Sequence, residues 1–492
     1  MATVELEHAQ TSEDSLARTR KRFKEAGIKL PKFKELRSPD ISLKDTYSAI
    51  EQVDPDSAHP LNLFRLHWFN TPTHRGLTDV PSYLVIPGEL LEIDAKIVVM
   101  LGRHFPMISA HKVLPAYACL VPRIISGEFD LDTNRAIWPS TGNYCRGGVA
   151  ISRILGCRAT AVLPEGMSAE RFNWLKRWVS HPDDILRTPG TESNVKEIYD
   201  ACHELSKEPQ NVIINQFSEY GNYMAHRYVT GPALEAVFNA VNSTKNLCPR
   251  AFVAASGSAG TLAAGDYLKQ SLGTHTCVVE ATECPTLLKN GYGDHNIQGI
   301  GDKHVPLIHN VMGTDFVIGV SDKSTDSLSV IFNTEEGQNF LAQTKNLSRS
   351  SLEQLTSLGL SGLSNVIASI KYAKYMNLGK NDVIMTVATD GAELYLTELE
   401  HAKRKYFSKG LHQTILAESF GRHMLGIATD NVIELTRLDK ERIFNLGYYT
   451  WVEQQGVTLK DFDARRAQSF WDDLVDYVPV LDEKIEELNQ SL

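Results

Sequence analysis

A lysine between a histidine and an apolar run is the residue of this sequence best placed to do covalent chemistry. Lys112 stands in the stretch SAHKVLPAY, ahead of a segment (113–121) with the composition of a partly buried helix. An amine that is partly removed from water holds its proton less tightly and can act as a nucleophile. The stretch equally fits a lysine that lays its stem on apolar surface and keeps its charge in water.

A second group of polar residues lies where the strand-like run RAIWPS meets the helical pattern of TGNYCRGG. Hydroxyls and backbone N–H groups at the start of a helix bind anions, and a carboxylate suits them well. An ordinary helix cap and turn would use the same residues. The anion-binding interpretation predicts a substrate-carboxylate pocket, in which the amide of Asn143 can donate a hydrogen bond to a ligand. The residues concerned are Ser140, Thr141, Gly142 and Asn143.

A third group consists of small residues between the buried run AFVAAS and the helix-like TLAAGDYLK. A phosphate can approach the backbone closely there, and the helix dipole favours its negative charge. A P-loop lysine and a complete GxGxxG are both missing, so the pattern is a poor nucleotide fingerprint but a good phosphate turn. Close packing of helix on strand is the alternative. The turn comprises Gly257, Ser258, Ala259, Gly260 and Thr261.

Two further loops follow the same strand-to-helix plan. SLGLSGLSN carries serines 357, 361 and 364 ahead of an apolar helix. One of them could cap that helix, and another could face a pyridine nitrogen and leave it largely unprotonated. Asp390 and Gly391 follow the run NDVIMTVAT, where a simple turn is favoured over a catalytic aspartate.

A nucleophilic lysine, a carboxylate loop, a phosphate turn and a serine near a ring together describe the needs of pyridoxal 5′-phosphate. The chain resembles the fold-type-II pyridoxal-phosphate enzymes of the tryptophan synthase β-like superfamily. Within them it is most similar to the cysteine synthase (O-acetylserine sulfhydrylase) and cystathionine β-synthase group. The resemblance runs from about residue 80 to about residue 400 on motifs that occur in the family's order: PMISAHK, PSTGN, LPEGMSAERFNWLK, NQFSEYGNYMAHRYVTGPALE, SGSAGTLAAGDYLK, NIQGIG, GLSG and TDGAELY.

The resemblance implies a role for each candidate residue. Lys112 would form the Schiff base with the cofactor and later move the Cα proton. Asn143 would bind the cofactor's ring oxygen, and Ser361 would meet its pyridine nitrogen. The phosphate would bind Gly257, Ser258, Ala259, Gly260 and Thr261. The substrate carboxylate would bind Ser140, Thr141, Gly142 and Gln216. No metal site is expected.

The implied enzyme acts on a small L-amino acid with a leaving group on Cβ: cysteine, O-acetylserine or serine. Loss of that group would give an aminoacrylate. A nucleophile then adds (β-replacement, cysteine synthase-like), or water releases pyruvate and ammonia (β-elimination, cysteine desulfhydrase-like). The alternatives are a serine/threonine dehydratase-type ammonia-lyase, a binding protein that keeps the cofactor without turnover, and a nucleotide- or phosphate-dependent enzyme that uses the 257–261 turn alone.

One departure from the family concerns the stretch GNYCRGG, which is bulkier and more basic than the family's GNTG. An arginine beside a carboxylate pocket could read a second acidic group on the substrate. It could also lie on the surface of its helix, and we favour this for Arg146.

The elements that must position these residues are short β-rich runs alternating with helical patterns, which indicates a parallel, doubly wound α/β architecture. We expect two doubly wound parallel-sheet domains of fold type II. The large cofactor-binding domain is predicted over 76–115 plus 235–405, and the smaller substrate-binding domain over 116–234. Residues 1–75 form an N-terminal extension, and residues 406–492 form a helical C-terminal extension.

Composition excludes several other classes. The chain has 492 residues, 42% hydrophobic and 22% charged, with a net charge of −10, which disfavours nucleic acid or an anionic membrane as a partner. No window resembles a transmembrane segment, and residues 1–15 do not resemble a signal peptide. The 7 scattered cysteines fit reduced thiols in a cytoplasm. We expect a cytoplasmic homodimer.

Overall fold

A computed structural model describes residues 12–39, 43–301 and 303–492, and in it the apolar runs form two separate sheets. The strands, in chain order, are β1 (Tyr83–Val85), β2 (Lys96–Leu101), β3 (Arg135–Pro139), β4 (Arg158–Pro164), β5 (Ile185–Thr188), β6 (Asn211–Ile213), β7 (Cys248–Ala255), β8 (His275–Ala281), β9 (Phe316–Val320), β10 (Asp382–Ala388) and β11 (Val432–Glu434).

Helices separate most of these strands. In chain order they are α1 (Glu13–Ala26), α2 (Phe33–Arg37), α3 (Lys44–Ile50), α4 (Val113–Ile125), α5 (Asn143–Leu155), α6 (Ala169–Trp178), α7 (Val195–Leu205), α8 (Tyr220–Ala225), α9 (Gly231–Val241), α10 (Leu262–Leu272), α11 (Thr286–Lys289), α12 (Asp322–Asn333), α13 (Glu335–Lys345), α14 (Arg349–Leu355), α15 (Leu360–Tyr375), α16 (Leu396–Tyr406), α17 (Gln413–Phe420), α18 (Arg437–Tyr448), α19 (Leu459–Ala464), α20 (Gln468–Asp476) and α21 (Val478–Gln490). One turn of π-helix (His226–Thr230) joins α8 to α9.

The larger sheet has the strand order β1-β2-β10-β7-β8-β9-β11. Its inner pairs are parallel, whereas β1 and β11 pair antiparallel at the two edges. Strands β2, β8 and β9 are buried along almost their whole length. Helices cover both faces of such a sheet, which is why these strands read as continuous apolar runs rather than alternating ones.

The smaller sheet has the order β5-β4-β3-β6, and its described pairs are all parallel.

In parallel sheets of this kind, the loops that leave the carboxyl ends of the strands carry the ligand-binding residues. Four such loops matter here: the turns after β3, β7 and β10, and the segment between β2 and α4. The last two meet at an isolated bridge between Ala110 and Asp390.

The expected fold class is confirmed: the chain is α/β, with two mostly parallel sheets and additional segments at both ends. Two details differ from expectation. Strands β1, β5 and β9 were not predicted, although the sequence of β9, FVIGV, is apolar throughout. Strand β11 lies in the region expected to be helical, where it pairs with β9. The domain boundaries at residues 75, 115, 234 and 405 stay a prediction.

The two terminal extensions contact each other. The carboxylate of Asp482 in α21 accepts hydrogen bonds from the backbone N–H groups of Phe33 (2.5 Å) and Lys34 (3.0 Å). Helix α1 buries one face that includes Phe23. Residues 1–11, in the stretch that does not resemble a signal peptide, lie outside the described residues, as do residues 40–42 of the N-terminal extension.

Three general properties bear on function. Within the described ranges, no helix combines the length and apolarity needed to cross a membrane. No disulfide joins any of the seven cysteines, all of which lie within the described residues. Among the residues that the structure describes, no cluster of His, Cys, Asp or Glu is arranged to hold a metal ion.

Candidate active site

Lys112 lies between the predicted phosphate turn and the predicted substrate loop. Its Nζ atom donates to Ser258 Oγ and to Gln216 Oε1, at 3.2 Å in each case. The residue stands immediately before α4 and is half-buried. The backbone before it is fixed by the hydrogen bond from His111 N–H to Thr389 O (3.2 Å), which ties this segment to the end of β10. The amine therefore projects into the space between the two sheets' carboxyl-terminal loops.

The turn 257–261 has the close-packed shape of a phosphate-binding loop. A Cβ atom on Gly257 would lie 2.8 Å from Gly299 O, and one on Gly260 would lie 2.2 Å from Asn222 Oδ1. Ala259 has φ 65°, a left-handed conformation that turns the chain into α10. The first three N–H groups of α10 donate back into the turn, from Leu262 to Ala259 O, from Ala263 to Gly260 O and from Ala264 to Thr261 O, at 3.1 Å in each case. An anion at this site would therefore meet the N–H groups of the turn itself, at the positive end of the α10 dipole.

The predicted substrate loop forms a connected hydrogen-bonding unit. Ser140 Oγ accepts from the backbone N–H of Gly142 (3.0 Å) and from Gln216 Nε2 (3.4 Å). Thr141 donates through its hydroxyl to Glu192 Oε1. Gly142 has φ 149°, and a Cβ there would lie 2.6 Å from Arg171 Cδ, so only glycine fits.

Asn143, the first residue of α5, is held on both sides of its amide. Its Nδ2 atom donates to Asp390 Oδ2 (2.6 Å), and its Oδ1 accepts from Arg146 Nη1 (2.9 Å). Asp390 Oδ2 also accepts from the hydroxyl of Tyr395 (2.7 Å). These contacts leave one N–H of the Asn143 amide for a ligand, because a primary amide carries two donors.

The preferred placement of Arg146 on a helix surface is wrong. Its side chain is buried, it donates to Ile108 O (3.0 Å), and its guanidinium lies 5.1 Å from the ring centre of Trp174. Position 146 is one helical turn after Asn143, which places both on the inner face of α5. Asp390, expected in a simple turn, is likewise buried and paired.

Ser361 lies at the start of α15, on the opposite wall. Its Oγ is 3.1 Å from Thr389 Oγ1 at the end of β10. Asn365, one turn further along α15, donates to Val387 O (2.9 Å). The hydroxyls of Ser361 and Thr389 are therefore paired neutral groups, and such a pair suits an uncharged ring nitrogen.

One cavity brings these elements together. It contains about 660 Å³ of space free of protein atoms, part of it open to solvent. Eleven of the twelve predicted site residues line it: Lys112, Ser140, Thr141, Asn143, Gln216, Gly257, Ser258, Ala259, Gly260, Thr261 and Ser361. Gly142 shapes the loop without lining the cavity. Residues of the wall that the sequence did not identify include His111, Arg171, Gly299, Asn365 and Thr389.

The charged groups behind the substrate loop are fully enclosed. Burial raises the pKa of Glu192 to about 7, although the charge of Arg171 opposes this. Burial also raises the pKa of Asp390, again against Arg171. Burial alone would lower the pKa of Arg171, but Tyr395 and the two carboxyl groups raise it. Arg171 also donates to Tyr395 (3.0 Å) and to Gln298, so the cation is held rigidly at the wall.

His111, next to the lysine, is a neutral ring. Burial, with the charges of His226 and Lys112, holds its pKa well below the usual range. The ring stacks on Trp68 of the N-terminal segment, with centroids 6.0 Å apart and an interplanar angle of 19°. No sequence signal distinguished His111 from an ordinary core histidine.

These groups fit pyridoxal 5′-phosphate. The Cβ-excluding turn 257–261 suits the phosphate, the neutral hydroxyl pair of Ser361 and Thr389 suits the ring nitrogen, and the Lys112 amine lies between them. The phosphate, the ring nitrogen and the aldehyde of the cofactor thus each have a chemically matched group in the lining of the same cavity.

Comparisons with known proteins give the same result. The family described as "Pyridoxal-phosphate dependent enzyme" matches residues 92–339. Cysteine synthase B of Campylobacter jejuni is 31% identical over 288 residues, which are 57% of this chain and 84% of that protein.

Two solved structures have a similar fold. A hydrogen sulfide-producing enzyme from Fusobacterium nucleatum matches with TM-score 0.52 and 23% identity, covering 65% of this chain and 97% of that one. O-acetylserine sulfhydrylase isoform 3 of Entamoeba histolytica matches with TM-score 0.54 and 20% identity, covering 71% and 98%. At these identities the two structures are evidence for the fold alone.

Proposed function

Because the chain belongs to the pyridoxal-phosphate-dependent enzyme family, we propose that it catalyses β-replacement on a small L-amino acid whose Cβ carries a leaving group. O-acetylserine is the first candidate substrate, with serine and cysteine as the others. The cofactor is pyridoxal 5′-phosphate. The resemblance to the cysteine synthase and cystathionine β-synthase group, stated from the motifs, is confirmed by these matches.

The observation that carries this proposal is the position of one amine. Lys112 Nζ is 3.2 Å both from Ser258 in the phosphate turn and from Gln216 beside the substrate loop. An amine in this position can hold the cofactor's aldehyde carbon while the phosphate occupies the neighbouring turn. The same amine, when free, is placed to take the Cα proton of an amino acid bound in the loop and to return it.

The remaining residues bind and orient. Gly257, Ser258, Ala259, Gly260 and Thr261 would hold the phosphate. Asn143 would donate to the ring oxygen, and Ser361 would face the ring nitrogen. When bound, the cofactor supplies an electron sink that makes the Cα proton of an attached amino acid removable.

The substrate carboxylate is proposed to bind the loop between β3 and α5. The hydroxyls of Ser140 and Thr141 and the Gln216 amide line one small region of the cavity wall, and the backbone N–H of Gly142 supports Ser140 by donating to its Oγ. Donors converging in this way fix the orientation of a carboxylate.

Replacement differs from elimination in what enters the cavity after the leaving group departs. Water in the site favours elimination, and a shielded site favours addition of a second nucleophile. The cysteine synthases among the relatives support addition of sulfide. Elimination to pyruvate and ammonia is the competing outcome of the same first half-reaction.

The experiment uses purified protein loaded with the cofactor. O-acetylserine is added with and without sulfide, and acetate, cysteine and pyruvate are quantified. The proposal predicts acetate release that depends on Lys112, with cysteine as the main product when sulfide is present. Pyruvate as the main product in the presence of sulfide would assign the protein to the elimination branch.

A matched pair of variants tests the role of the lysine. Lys112→Ala should load little cofactor, lose the visible absorbance of the bound cofactor and release no acetate. Lys380→Ala changes an exposed lysine ahead of β10 and should behave as the wild type. Normal absorbance and acetate release in Lys112→Ala would reject the proposal.

A further inference from the structure

Glu192 is a buried carboxyl group directly behind the predicted substrate loop. It lies between β5 and α7, is 2% exposed and does not itself line the cavity. One of its oxygens, Oε1, accepts from the hydroxyl of Thr141 and from the backbone N–H of Gly299 (2.9 Å). The other oxygen, Oε2, has no hydrogen-bond partner among the described residues. Among the described residues, Thr141 is therefore the only side chain through which Glu192 is hydrogen-bonded to the cavity wall.

The Thr141 hydroxyl has a single proton, so it can donate in one direction at a time. When Glu192 is ionised, that proton is committed to Oε1, and the hydroxyl presents lone pairs to the cavity. When Glu192 is protonated, the carboxyl group can donate to the hydroxyl, and the hydroxyl can donate into the cavity. A carboxylate ligand needs the second arrangement, because a carboxylate only accepts hydrogen bonds.

We infer that Glu192 is a positioning residue whose proton decides whether Thr141 donates to the substrate carboxylate, so that binding of an α-carboxylate is coupled to uptake of one proton. This inference rests on the proposed function, since it takes an amino-acid carboxylate as the ligand of the loop. The proton comes from solvent, neutralises Glu192 and is donated to Thr141 Oγ1. The proton of Thr141 then forms the hydrogen bond to the ligand, and no covalent bond between heavy atoms changes.

Three charged or titratable groups act on Glu192 from the elements packed around it. The Arg171 guanidinium of α6 favours the ionised form, whereas Asp390 after β10 opposes it. The Tyr395 hydroxyl lies in the same network. Burial outweighs the arginine and raises the pKa of Glu192 to about 7. The donor arrangement is therefore populated below neutral pH and lost above it.

The test measures binding of propionate to the cofactor-loaded protein. Propionate has the carboxylate of the substrate but no amine, so it cannot react with the cofactor. Its dissociation constant is read from the change in the cofactor's visible absorbance between about pH 6 and about pH 9. The wild type should bind with constant affinity at the acid end and lose about tenfold in affinity per pH unit above the ionisation of Glu192, until it reaches the affinity of a site whose Thr141 hydroxyl is committed.

Glu192→Gln keeps the shape of the side chain and removes the proton. Its amide oxygen would accept from both Gly299 and Thr141, so the hydroxyl stays committed at every pH. We expect propionate affinity below that of the wild type at about pH 6, with no further loss at alkaline pH.

Two substitutions at Thr141 separate the hydroxyl from the charge. Thr141→Val removes the hydroxyl at nearly constant volume and should flatten the pH profile. Thr141→Ser keeps the hydroxyl and should retain the steep profile. A steep profile in Thr141→Val would overturn the inference, because the charge of Glu192 would then act on the ligand without the hydroxyl.

Other outcomes also decide the question. A wild-type profile in Glu192→Gln, or no propionate binding by the wild type at about pH 6, would overturn the inference. These results are distinct from failure of the proposed function. Propionate affinity that does not change with pH, together with normal acetate release, rejects the inference alone. Propionate affinity that falls steeply with pH, without acetate release from O-acetylserine, rejects the proposed reaction alone.

Discussion

The side-chain amide of Asn143 donates a 2.6 Å hydrogen bond to the carboxylate of Asp390. This contact joins the start of α5, beside the smaller sheet, to the end of β10 in the larger sheet. Asp390 also accepts from Tyr395 (2.7 Å) and lies 4.0 Å from Arg171. One carboxylate thus orients the amide proposed to bind the cofactor and offsets the charge of a buried arginine.

Substitutions of Asp390 should therefore lower both stability and cofactor affinity. Asp390→Asn keeps an acceptor for Asn143 and Tyr395 but removes the charge facing Arg171, and we expect a loss of about 1 kcal/mol in the free energy of unfolding. Asp390→Ala also leaves two buried donors without an acceptor, and we expect it to lower the free energy of unfolding by about 3 kcal/mol. Urea denaturation of the apo forms measures both values, and cofactor titration measures affinity.

The exposed Asp183 provides the control for this pair. Asp183→Asn should change the free energy of unfolding by less than about 0.5 kcal/mol and leave cofactor affinity unchanged. If Asp390→Ala were as stable as the wild type, the carboxylate would not be the link between the two sheets that its contacts indicate.

Arg146 should act on the cofactor through Asn143 and leave substrate choice unaffected. It donates to Asn143 Oδ1 (2.9 Å) and to Ile108 O (3.0 Å), but it does not line the cavity. Arg146→Met removes the donor that sets the orientation of the amide. We expect about tenfold weaker cofactor binding and a shifted visible spectrum, because the hydrogen bond to the cofactor ring changes.

Two comparisons sharpen this test. Arg146→Lys restores charge but cannot reach both acceptors, so it should recover only part of the spectrum. Arg349→Met changes an arginine whose side chain is 93% exposed and should have no effect. A changed preference between O-acetylserine and an amino acid with a second carboxylate, at an unchanged spectrum, would instead make Arg146 a substrate-reading residue.

Gly260 is expected to tolerate no side chain. A Cβ there would lie 2.2 Å from Asn222 Oδ1, and Asn222 donates to Ser258 Oγ (3.0 Å) in the phosphate turn. Gly260→Ala should displace Asn222 and with it Ser258, and should weaken cofactor binding at least about tenfold, or about 1.4 kcal/mol. Fluorescence titration with the cofactor measures this.

Gly88→Ala is the matched change, because no atom lies within 4 Å of its added Cβ. It should bind the cofactor as the wild type does. Wild-type affinity in Gly260→Ala would show that the turn can open, and the phosphate assignment for residues 257–261 would then fail.

Apart from Ser361, which follows the turn between α14 and α15, the residues that the sequence identified lie at strand-to-helix connections, whereas those it missed pair across the chain. Lys112 and Gly260 occupy local patterns whose chemistry is readable from their neighbours. Glu192 is different: its partners Thr141 and Gly299 belong to separate loops, and nothing local marks it as buried. Charged residues are mostly exposed, so local composition favours a surface position for such a glutamate.

Strand assignment failed for a related reason. β11 is the edge strand of the larger sheet, next to β9, and is three residues long. Its formation depends on pairing with β9 rather than on its own short sequence, VIE, whose burial is only partial. Tertiary pairing of this kind overrides local propensity.

Ionisation of Glu280 should make the apo protein less stable at alkaline pH than at acid pH. Its carboxylate accepts from the backbone N–H groups of Leu287 (2.9 Å) and Leu288 (2.7 Å), and burial raises its pKa to about 7 despite these bonds. The pKa of Glu280 in the folded state is above its value in the unfolded state. Glu280 therefore contributes fully to the free energy of unfolding below about pH 4.5, and this contribution is lost as pH rises through about 7. The full loss is about 3 kcal/mol.

Denaturation at about pH 5 and about pH 8 tests this prediction. Glu280→Gln should be less stable at the acid end, because its amide places N–H against N–H, but it should lose less stability between the two values. Exposed Glu483→Gln should keep the wild-type difference. An unchanged difference in Glu280→Gln would show that other groups, such as Glu192, carry the pH dependence.

Trp68 should couple the N-terminal segment to the active site. Its Nε1 donates to Thr230 Oγ1 (2.8 Å), its ring stacks on His111, and it meets Phe105 edge-on at 5.0 Å. His111 immediately precedes Lys112, so the tryptophan supports the turn from which the reactive amine projects. Trp68→Ala should cost about 3–5 kcal/mol of unfolding free energy and weaken cofactor binding.

Trp68→Phe separates the two effects. It keeps a ring against His111 but loses the hydrogen bond to Thr230, so we expect part of the stability to be lost and most of the cofactor affinity to remain. Tyr449→Ala changes a residue that is 70% exposed and should alter neither the stability nor the cofactor affinity. Full cofactor affinity in a folded Trp68→Ala protein would mean that the turn before Lys112 is held by the hydrogen bond between His111 and Thr389 alone, and that the N-terminal segment stabilises the fold without acting on the site.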